Sequence, residues 1–143
     1  MSVTDDPAVS VSFVVTVDGI ELGSFNTCEG LGCEVVLEQR DEGGNNGLSW
    51  QLPTRLRYPN VKLSRPLTRD TEKVAKWFAS MTTGIRRRTA HIEARTGDGR
   101  TVAQWGLLEV VPVRWTGPSF SPESPKVAVE TIEIAHHGYV MGS

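Results

Sequence analysis

The chain has 143 residues, a formal net charge of −2, 38% hydrophobic residues and 22% charged residues. This length predicts one domain, spanning residues 1–143, that buries about two-thirds of the surface of its unfolded chain. The slightly acidic balance argues against a dedicated nucleic-acid binder, and no run approaches the roughly 18 apolar residues of a membrane-spanning helix. The first ten residues carry acids and no apolar stretch, so they do not predict a secretory signal.

The first part of the chain predicts strands joined by turns. Residues 1–9 predict a flexible N-terminal arm, and the strand that follows, at 10–17, alternates so that one face carries Val11, Phe13, Val15 and Val17. Asp18-Gly19 is typical of a type I′ turn, which would return the chain as a strand at 20–25. After two glycines at 30 and 32, a third strand is expected at 33–40.

The two cysteines, Cys28 and Cys33, are too few for a disulfide framework. The histidines, His91, His136 and His137, lie far away in sequence and supply no obvious second ligand pair for a structural zinc. Two reduced thiols are therefore expected, with a disulfide or a metal site as the alternatives.

The segment DEGGNNG predicts an extended loop at 41–47, and Leu52-Pro53 is expected to end the loop region. Its glycines have no side chain to pack and its asparagines tolerate positive φ. No Lys-Ser/Thr pair or helix follows, so a phosphate-binding loop is not indicated. Long polar loops in compact domains are usually functional or disordered, and we expect a contact loop formed by Asp41, Glu42, Gly43, Gly44, Asn45, Asn46 and Gly47.

Residues 70–84 predict the helix of the chain. Four apolar residues recur at helical spacing and should pack on a sheet: Val74, Trp77, Phe78 and Met81. Lys73 and Lys76 fall on the opposite face. Asp70 or Thr71 is the expected N-cap, and Gly84 is expected to end the helix in a left-handed conformation.

The rest of the chain again predicts strands, at 58–65, 86–95, 101–115 and 126–137, with a turn at Gly97-Asp98-Gly99 and a bulge near Pro112. The last strand has two mixed faces, which favours contact with the core on one side and with another strand layer or subunit on the other. About seven strands and one helix fit a mainly β, antiparallel α+β or β-barrel domain.

No set of residues converges on catalysis, so the sequence predicts neither an enzyme nor a cofactor or metal site. His136 and His137 are adjacent on one strand and point to opposite faces, as do Glu130 and Glu133, and no G-x-S-x-G motif positions a nucleophile. The basic run Arg86, Arg87 and Arg88 lacks the interleaved aromatics of a single-strand binder. It suits a solvated strand end near a helix C-terminus or charge contacts with a neighbouring subunit.

Several segments, taken in order, resemble the tail-tube (inner tube) family of contractile phage tails and contractile injection systems. The resemblance covers nearly the whole chain and lies in FVVTVDGIELGSF at 13–25, CEGLG at 28–32, EQRDEGGNNG at 38–47, LPTRLRYPNVKLSRPLTRDTEKVAKWF at 52–78, GDGRTVAQWGLLEVVPVRWTGPSFS at 97–121 and VAVETIEIAHHGY at 127–139. No single motif is diagnostic, and the succession carries the resemblance.

The resemblance implies an antiparallel two-sheet β-barrel with one flanking α-helix. Copies would close into a hexameric ring with a joint β-barrel channel, and rings would stack into a tube that delivers cargo. It also implies a sheath protein around the tube, baseplate or spike and terminal cap proteins at its ends, and DNA or a protein effector in the lumen. The product would be made in the bacterial cytoplasm and assembled into a virion or an injection particle, without stable membrane insertion.

By position, residues 41–47 correspond to the family's loop between stacked rings. The helix is expected on the outside of the ring, with Lys73 and Lys76 available to the sheath. Two alternatives to the bulk tube subunit stay open: a specialised ring that initiates the tube near the baseplate, and a free β-domain that binds a partner or small ligand.

Overall fold

The computed structural model describes residues 10–41, 49–84, 88–117 and 128–140. The predicted N-terminal arm, residues 42–47 of the predicted loop, and Arg86 and Arg87 lie outside these ranges. The described elements are β1 (Val11–Val17), β2 (Ile20–Phe25), β3 (Thr27–Glu29), β4 (Glu34–Asp41), β5 (Ser49–Arg57), β6 (Val61–Pro66), α1 (Thr71–Ala79) with a 3-10 turn (Ser80–Thr83), β7 (Arg88–Thr96), β8 (Thr101–Thr116) and β9 (Val129–Ala135).

Seven of these strands hydrogen-bond in the order β2-β1-β7-β8-β9-β6-β3, with every neighbouring pair antiparallel. Strand β8 links the two halves of this order, since residues up to Val110 pair with β7 and residues from Val111 pair with β9. Its register with β9 shifts between Pro112 and Arg114, which confirms the predicted bulge. Two antiparallel halves therefore share one long strand.

The expectation of a closed barrel is wrong for the described chain. The strand order ends at β2 and β3, and no ladder joins these two strands within the residues described. They are consecutive in sequence and only Asn26 separates them. An antiparallel pair needs a reversal of about two residues or more, so this single residue carries the chain across a corner from one half to the other. The coarser prediction, a mainly β antiparallel fold with one helix, is confirmed.

The core lies between the two halves and under α1. Its buried members come from alternate positions of most strands and from one face of the helix, as the period-2 and helical patterns predicted: Val15, Val17, Leu22, Phe25, Val61, Leu63, Val74, Trp77, Ala90, Ile92, Leu107, Val110, Ile132 and Ile134. Phe78 packs against this cluster while only partly buried. The helix therefore lies on the sheets, as expected, through Val74 and Trp77.

The turn between β1 and β2 is the one that the sequence indicates. Asp18 and Gly19 both have positive φ, 53° and 83°, which a type I′ turn requires at its two central residues.

The two ends of the helical segment lie at predicted residues, but neither has the predicted geometry. Asp70 occupies the N-cap position, but its side chain makes no capping hydrogen bond; its carboxylate instead pairs with Lys73 Nζ at 3.1 Å. The Thr71 hydroxyl donates to Glu130 on β9, so a local ion pair engages one candidate cap and a tertiary hydrogen bond the other. Gly84 ends the 3-10 turn with a positive φ of 147°, which favours glycine, but its ψ of 144° lies outside the left-handed helical region.

Strands β4 and β5 form a separate two-stranded sheet. The sequence predicts β4, but its pattern does not indicate β5 and assigns Leu52-Pro53 to the end of a loop. In the structure Pro53 lies inside β5 opposite Leu37, beside a register shift between Val36 and Leu37. The Thr54 hydroxyl donates to the Val36 carbonyl at 2.8 Å there. A proline inside a strand is tolerated at such an irregularity, which is why its presence misdirects a pattern-based prediction.

Candidate assembly surface

The hairpin formed by β4 and β5 has its extensive contacts, among the described elements, between its own two strands. One of its faces is apolar and open to solvent near the base: Val35 is 46% exposed, Leu37 52% and Leu56 51%. Val35 lies directly opposite Leu56, and Leu37 opposite Pro53. An isolated two-stranded hairpin is marginally stable in water, so this exposed face is the strongest candidate for a contact surface.

The opposite face of the hairpin mixes charge with apolar groups. Cross-strand neighbours are Glu34 with Arg57, Val36 with Arg55, Glu38 with Leu52 and Arg40 with Trp50. Trp50 is 52% exposed. Trp is enriched at protein–protein interfaces, and charged pairs across them set the register of the two partners.

The base of the hairpin is fixed to the body by Tyr139. Its hydroxyl accepts from the Gly32 N–H at 2.7 Å and donates to the Gly32 carbonyl at 2.8 Å. The Tyr139 ring packs edge-on against His136 and Tyr58, with centroid distances of 5.0 and 5.7 Å. The hairpin is thus exposed at most of its described side chains, and its base is fixed to the rest of the domain at Gly32.

Burial shapes the chemistry of the groups near that root. It lowers the pKa of His136, whose side chain is buried, and raises the pKa of Tyr139. Burial also raises the pKa of the Cys28 thiol to about 11, with a smaller contribution from Glu29. Cys33 is exposed, and neither cysteine is paired in the structure. A thiol with a pKa this high stays protonated and unreactive near neutral pH.

A buried ion pair connects the helix to both halves of the fold. Arg65 on β6 donates from Nε to Glu130 Oε2 on β9 at 2.9 Å, and the two side chains are 1% and 0% exposed. Glu130 also accepts from the Thr71 hydroxyl at 2.5 Å and from Trp115 Nε1 at 3.0 Å. Arg65 donates from Nη1 to the Leu22 carbonyl at 2.6 Å. Buried charges are tolerated when paired and hydrogen-bonded in this way.

A glycine makes this arrangement possible at the edge strand β2. A Cβ on Gly23 would lie 2.6 Å from Arg65 Nη1 and 2.6 Å from Asp70 Oδ2, and the residue has φ 103°. Any side chain at position 23 would collide with Arg65 Nη1, the atom that donates to the Leu22 carbonyl, so only glycine fits without displacing it.

The other predicted site residues are placed as follows. Lys73 and Lys76 lie on α1 and are exposed, with Lys73 paired to Asp70. Arg88 Nη1 bonds Asp18 Oδ2 at 2.9 Å within the same chain. Asp41 is the last residue of β4 and β5 begins at Ser49, so the rest of the predicted loop lies outside the described residues. Contacts of the basic run and of the loop with other subunits stay predictions.

The residues that sequence reasoning missed are those of the exposed hairpin face. The alternation in β4 places Val35 and Leu37 on one face, but exposure of that face depends on the rest of the fold. Leu56 carries no separate signal, because the strand around it was not recognised.

Within the described residues, no helix is both long and apolar enough to span a membrane. The same residues contain no group of three or more His, Cys, Asp or Glu side chains arranged to hold a metal ion.

The fold is shared with chains of contractile injection systems. It matches a chain of the PVC sheath-tube complex of an extracellular contractile injection system in the extended state, with a TM-score of 0.78, 19% identity and coverage of 98% of this chain and 97% of the other. A chain of the anti-feeding prophage baseplate matches with a TM-score of 0.76, 19% identity and coverage of 98% and 96%. A chain of the anti-feeding prophage tube terminating cap matches with a TM-score of 0.74, 20% identity and coverage of 98% of this chain and 97% of the other.

The sequence itself identifies the family. The family model described as T4-like virus tail tube protein gp19 matches residues 9–140. The chain belongs to this tail tube family, as the resemblance implied. No curated protein sequence matches it significantly.

Proposed function

We propose that copies of this chain close into hexameric rings around a channel and that the rings stack into the inner tube of a contractile particle. The observation that carries the proposal is the β4–β5 hairpin, with its apolar face open to solvent at Val35, Leu37 and Leu56. The role is structural, and no catalytic step is assigned to the chain.

Burial of that face by a neighbouring copy would stabilise the hairpin. Fully burying a Val or Leu side chain stabilises by roughly 1.5–3 kcal/mol, so covering these half-exposed residues contributes about 1 kcal/mol each. The two ends of the strand order, β2 and β3, offer further unpaired backbone groups to a neighbour. A contact between unlike surfaces of two copies repeats around an axis and forms a ring when the rotation closes.

Stacking of rings is assigned to the predicted loop, Asp41 to Gly47, in keeping with the position of this segment in the family. The fold matches chains in structures described as a sheath-tube complex, a baseplate and a tube terminating cap. We therefore propose sheath, baseplate or spike, and cap proteins as partners, with DNA or a protein effector as cargo in the lumen. Assembly in the bacterial cytoplasm, before the particle acts, belongs to the same proposal.

The test replaces the exposed hairpin face by charge. Leu37→Lys with Leu56→Lys should leave the monomer folded, because both side chains are 50% or more exposed, and should abolish rings. Light scattering coupled to size-exclusion chromatography and negative-stain microscopy measure assembly, and circular dichroism measures folding. The matched control is Val102→Lys, a 60% exposed apolar residue on β8, which should still assemble.

A second variant separates rings from tubes. Deletion of Gly43 to Asn46 should leave a folded chain that forms no long tubes, since the loop is assigned to contacts between rings and not to the core. Tubes of normal length after this deletion would refute the stacking role. A wild-type chain that stays monomeric at high concentration would refute the whole proposal and favour a free-standing binding domain.

A further inference from the structure

Three rings, those of Tyr58, His136 and Tyr139, form a cluster that contacts both ends of the β4–β5 hairpin. Tyr58 directly follows β5, and its ring centroid lies 5.4 Å from that of His136 and 5.7 Å from that of Tyr139. The His136 and Tyr139 centroids are 5.0 Å apart. The Tyr139 hydroxyl bonds Gly32, two residues before β4 begins. The hairpin therefore leaves the body of the domain at this root cluster.

The hydrogen bonds of His136 define its charge state in the folded chain. The residue is only 6% exposed. The Gly138 N–H donates to Nδ1 at 3.2 Å, so Nδ1 is the bare nitrogen and the neutral ring carries its hydrogen on Nε2. Nε2 is buried and has no hydrogen-bond partner within the described residues. The fold thus accommodates a neutral imidazole and gives its one N–H no acceptor.

Protonation of His136 would add a second N–H to this buried ring. Nδ1 could then no longer accept from the Gly138 N–H, and only the Gly138 carbonyl, at 3.3 Å, could receive its hydrogen. Burial lowers the pKa of His136, the backbone of Gly138 opposes this, the charge of His137 lowers it further, and the backbone of Pro59 opposes it weakly. Opening of the cluster would let water solvate both nitrogens, so the open form takes up a proton more readily than the closed one.

The titratable groups at the cluster supply no counter-ion for an imidazolium within the described residues. They come from all the segments that meet there, and they are Tyr58, His137, Tyr139 and the thiols of Cys28 and Cys33. The Glu133 carboxylate, three residues earlier in the chain, accepts from Asn60 at 2.7 Å. The hydrogen bonds of His136 in the described chain are those with the backbone of Gly138. A positive charge on the ring is therefore unpaired.

We propose that the root cluster is an acid-sensitive latch: protonation of His136 frees the base of the β4–β5 hairpin, and rings that depend on the hairpin dissociate in mildly acidic solution. The ring part rests on the proposed function, which places the apolar face of the hairpin against a neighbouring copy. The latch itself is a property of the single chain. Histidine suits this role because its charge changes between about pH 5 and pH 8.

Hydrogen exchange of the full chain, followed by mass spectrometry between about pH 7.5 and pH 5, measures opening of the latch. Protection factors remove the intrinsic effect of pH on exchange. The root amides of Gly32, Gly138 and Val140 should lose protection by up to about tenfold per pH unit below about pH 6.5, the limit for one linked proton. Amides of β1 and β7 in the core should change little over this range.

Two substitutions of His136 remove the titration in different ways. His136→Asn offers its amide oxygen to the Gly138 N–H, and His136→Phe keeps an aromatic ring against the tyrosines. In both variants protection of the root should no longer depend on pH, and circular dichroism checks that each variant folds. Tyr139→Phe removes both bonds to Gly32 and should lower protection of the root at every pH.

The matched control is His91→Asn on β7, where a half-buried histidine lies 3.1 Å from Gln104 Oε1 through its Nε2. It should keep the pH dependence of the wild type. Light scattering coupled to size-exclusion chromatography follows the rings over the same pH range. Rings of the wild type and of the control should dissociate at a higher pH than rings of His136→Asn.

A root whose protection is constant from about pH 7.5 to pH 5 in the wild type would overturn the latch. So would loss of protection in all strands together, because His136 would then titrate only with global unfolding. Equal dissociation of wild-type and His136→Asn rings would overturn the link to assembly. Absence of wild-type rings at neutral pH would instead refute the proposed function, and the exchange experiment would still decide the latch.

Discussion

The buried Arg65–Glu130 pair makes the sharpest prediction about stability. Glu130→Gln keeps the shape of the side chain but removes its charge, which leaves the Arg65 guanidinium buried without its counter-ion. In the native chain Glu130 accepts at Oε2 from Arg65 and Thr71 and at Oε1 from Trp115. A glutamine amide has only one acceptor oxygen, and its other terminal atom is an NH₂ donor. One of these donors therefore meets an N–H group.

The expected cost follows from the burial of the pair, 1% and 0% exposed. Removing one partner of a buried ion pair costs about 3–5 kcal/mol. For a domain of roughly this size, 1 kcal/mol lowers the melting temperature by about 2–4 °C. The variant should therefore melt roughly 10–15 °C lower, a large part of a total stability of about 5–15 kcal/mol.

Thermal and urea unfolding, followed by circular dichroism, measure the effect at one protein concentration, because assembly shifts apparent stability. Arg65→Met and the double variant complete a cycle. Removing both charges should cost less than the sum of the two single changes, since neither charge is then left buried alone. The control is Glu133→Gln on the same strand, whose carboxylate accepts from Asn60 in an exposed hydrogen bond, with an expected cost below about 1 kcal/mol.

A double variant whose loss equals the sum of the single losses would refute this reasoning, because the two side chains would then act independently. The same conclusion would follow if Glu133→Gln cost as much as Glu130→Gln.

Two further predictions use other parts of the fold. Gly23→Ala should destabilise the fold by about 2 kcal/mol or more, through strain at φ 103° and displacement of Arg65. The control Gly97→Ala has open space around its Cβ position and should change the free energy of unfolding by less than about 0.5 kcal/mol. Equal effects of the two substitutions would contradict the proposed collision. Burial lowers the pKa of His136 in the fold, so the folded state binds fewer protons than the unfolded chain as the pH falls. The contribution of His136 to the free energy of unfolding is therefore fully present above about pH 6.5 and declines below it. His136→Phe should flatten the pH dependence of thermal unfolding between about pH 7.5 and 5.5, and an unchanged slope would exclude His136 as its source.

Local patterns predict the elements whose signal is local. Alternation and the Asp18-Gly19 pair suffice for β1 and β2, and helical spacing suffices for the buried face of α1. Strand β3 has only three residues and is bounded by Asn26 and Gly30, so it offers too few positions for a period to show. Strand β5 contains Pro53 at a register shift, which breaks its alternation.

Properties that depend on neighbours far away in sequence were not accessible in this way. Thr71 has the right chemistry for a cap, but its hydroxyl donates to Glu130 on β9, 59 residues away in sequence. The exposed hairpin face exists only once the strands are placed in space. The family resemblance, which rests on the succession of segments, supplied the role in a tube that the residues alone left open.

The long strand β8 has a mechanical consequence. Its sixteen residues are hydrogen-bonded to β7 along one stretch and to β9 along the next, so one uninterrupted backbone runs through both parts of the sheet. Neither part can slide past the other without breaking rungs on this shared strand. A load applied to one half of the subunit is therefore transmitted along this strand to the other half.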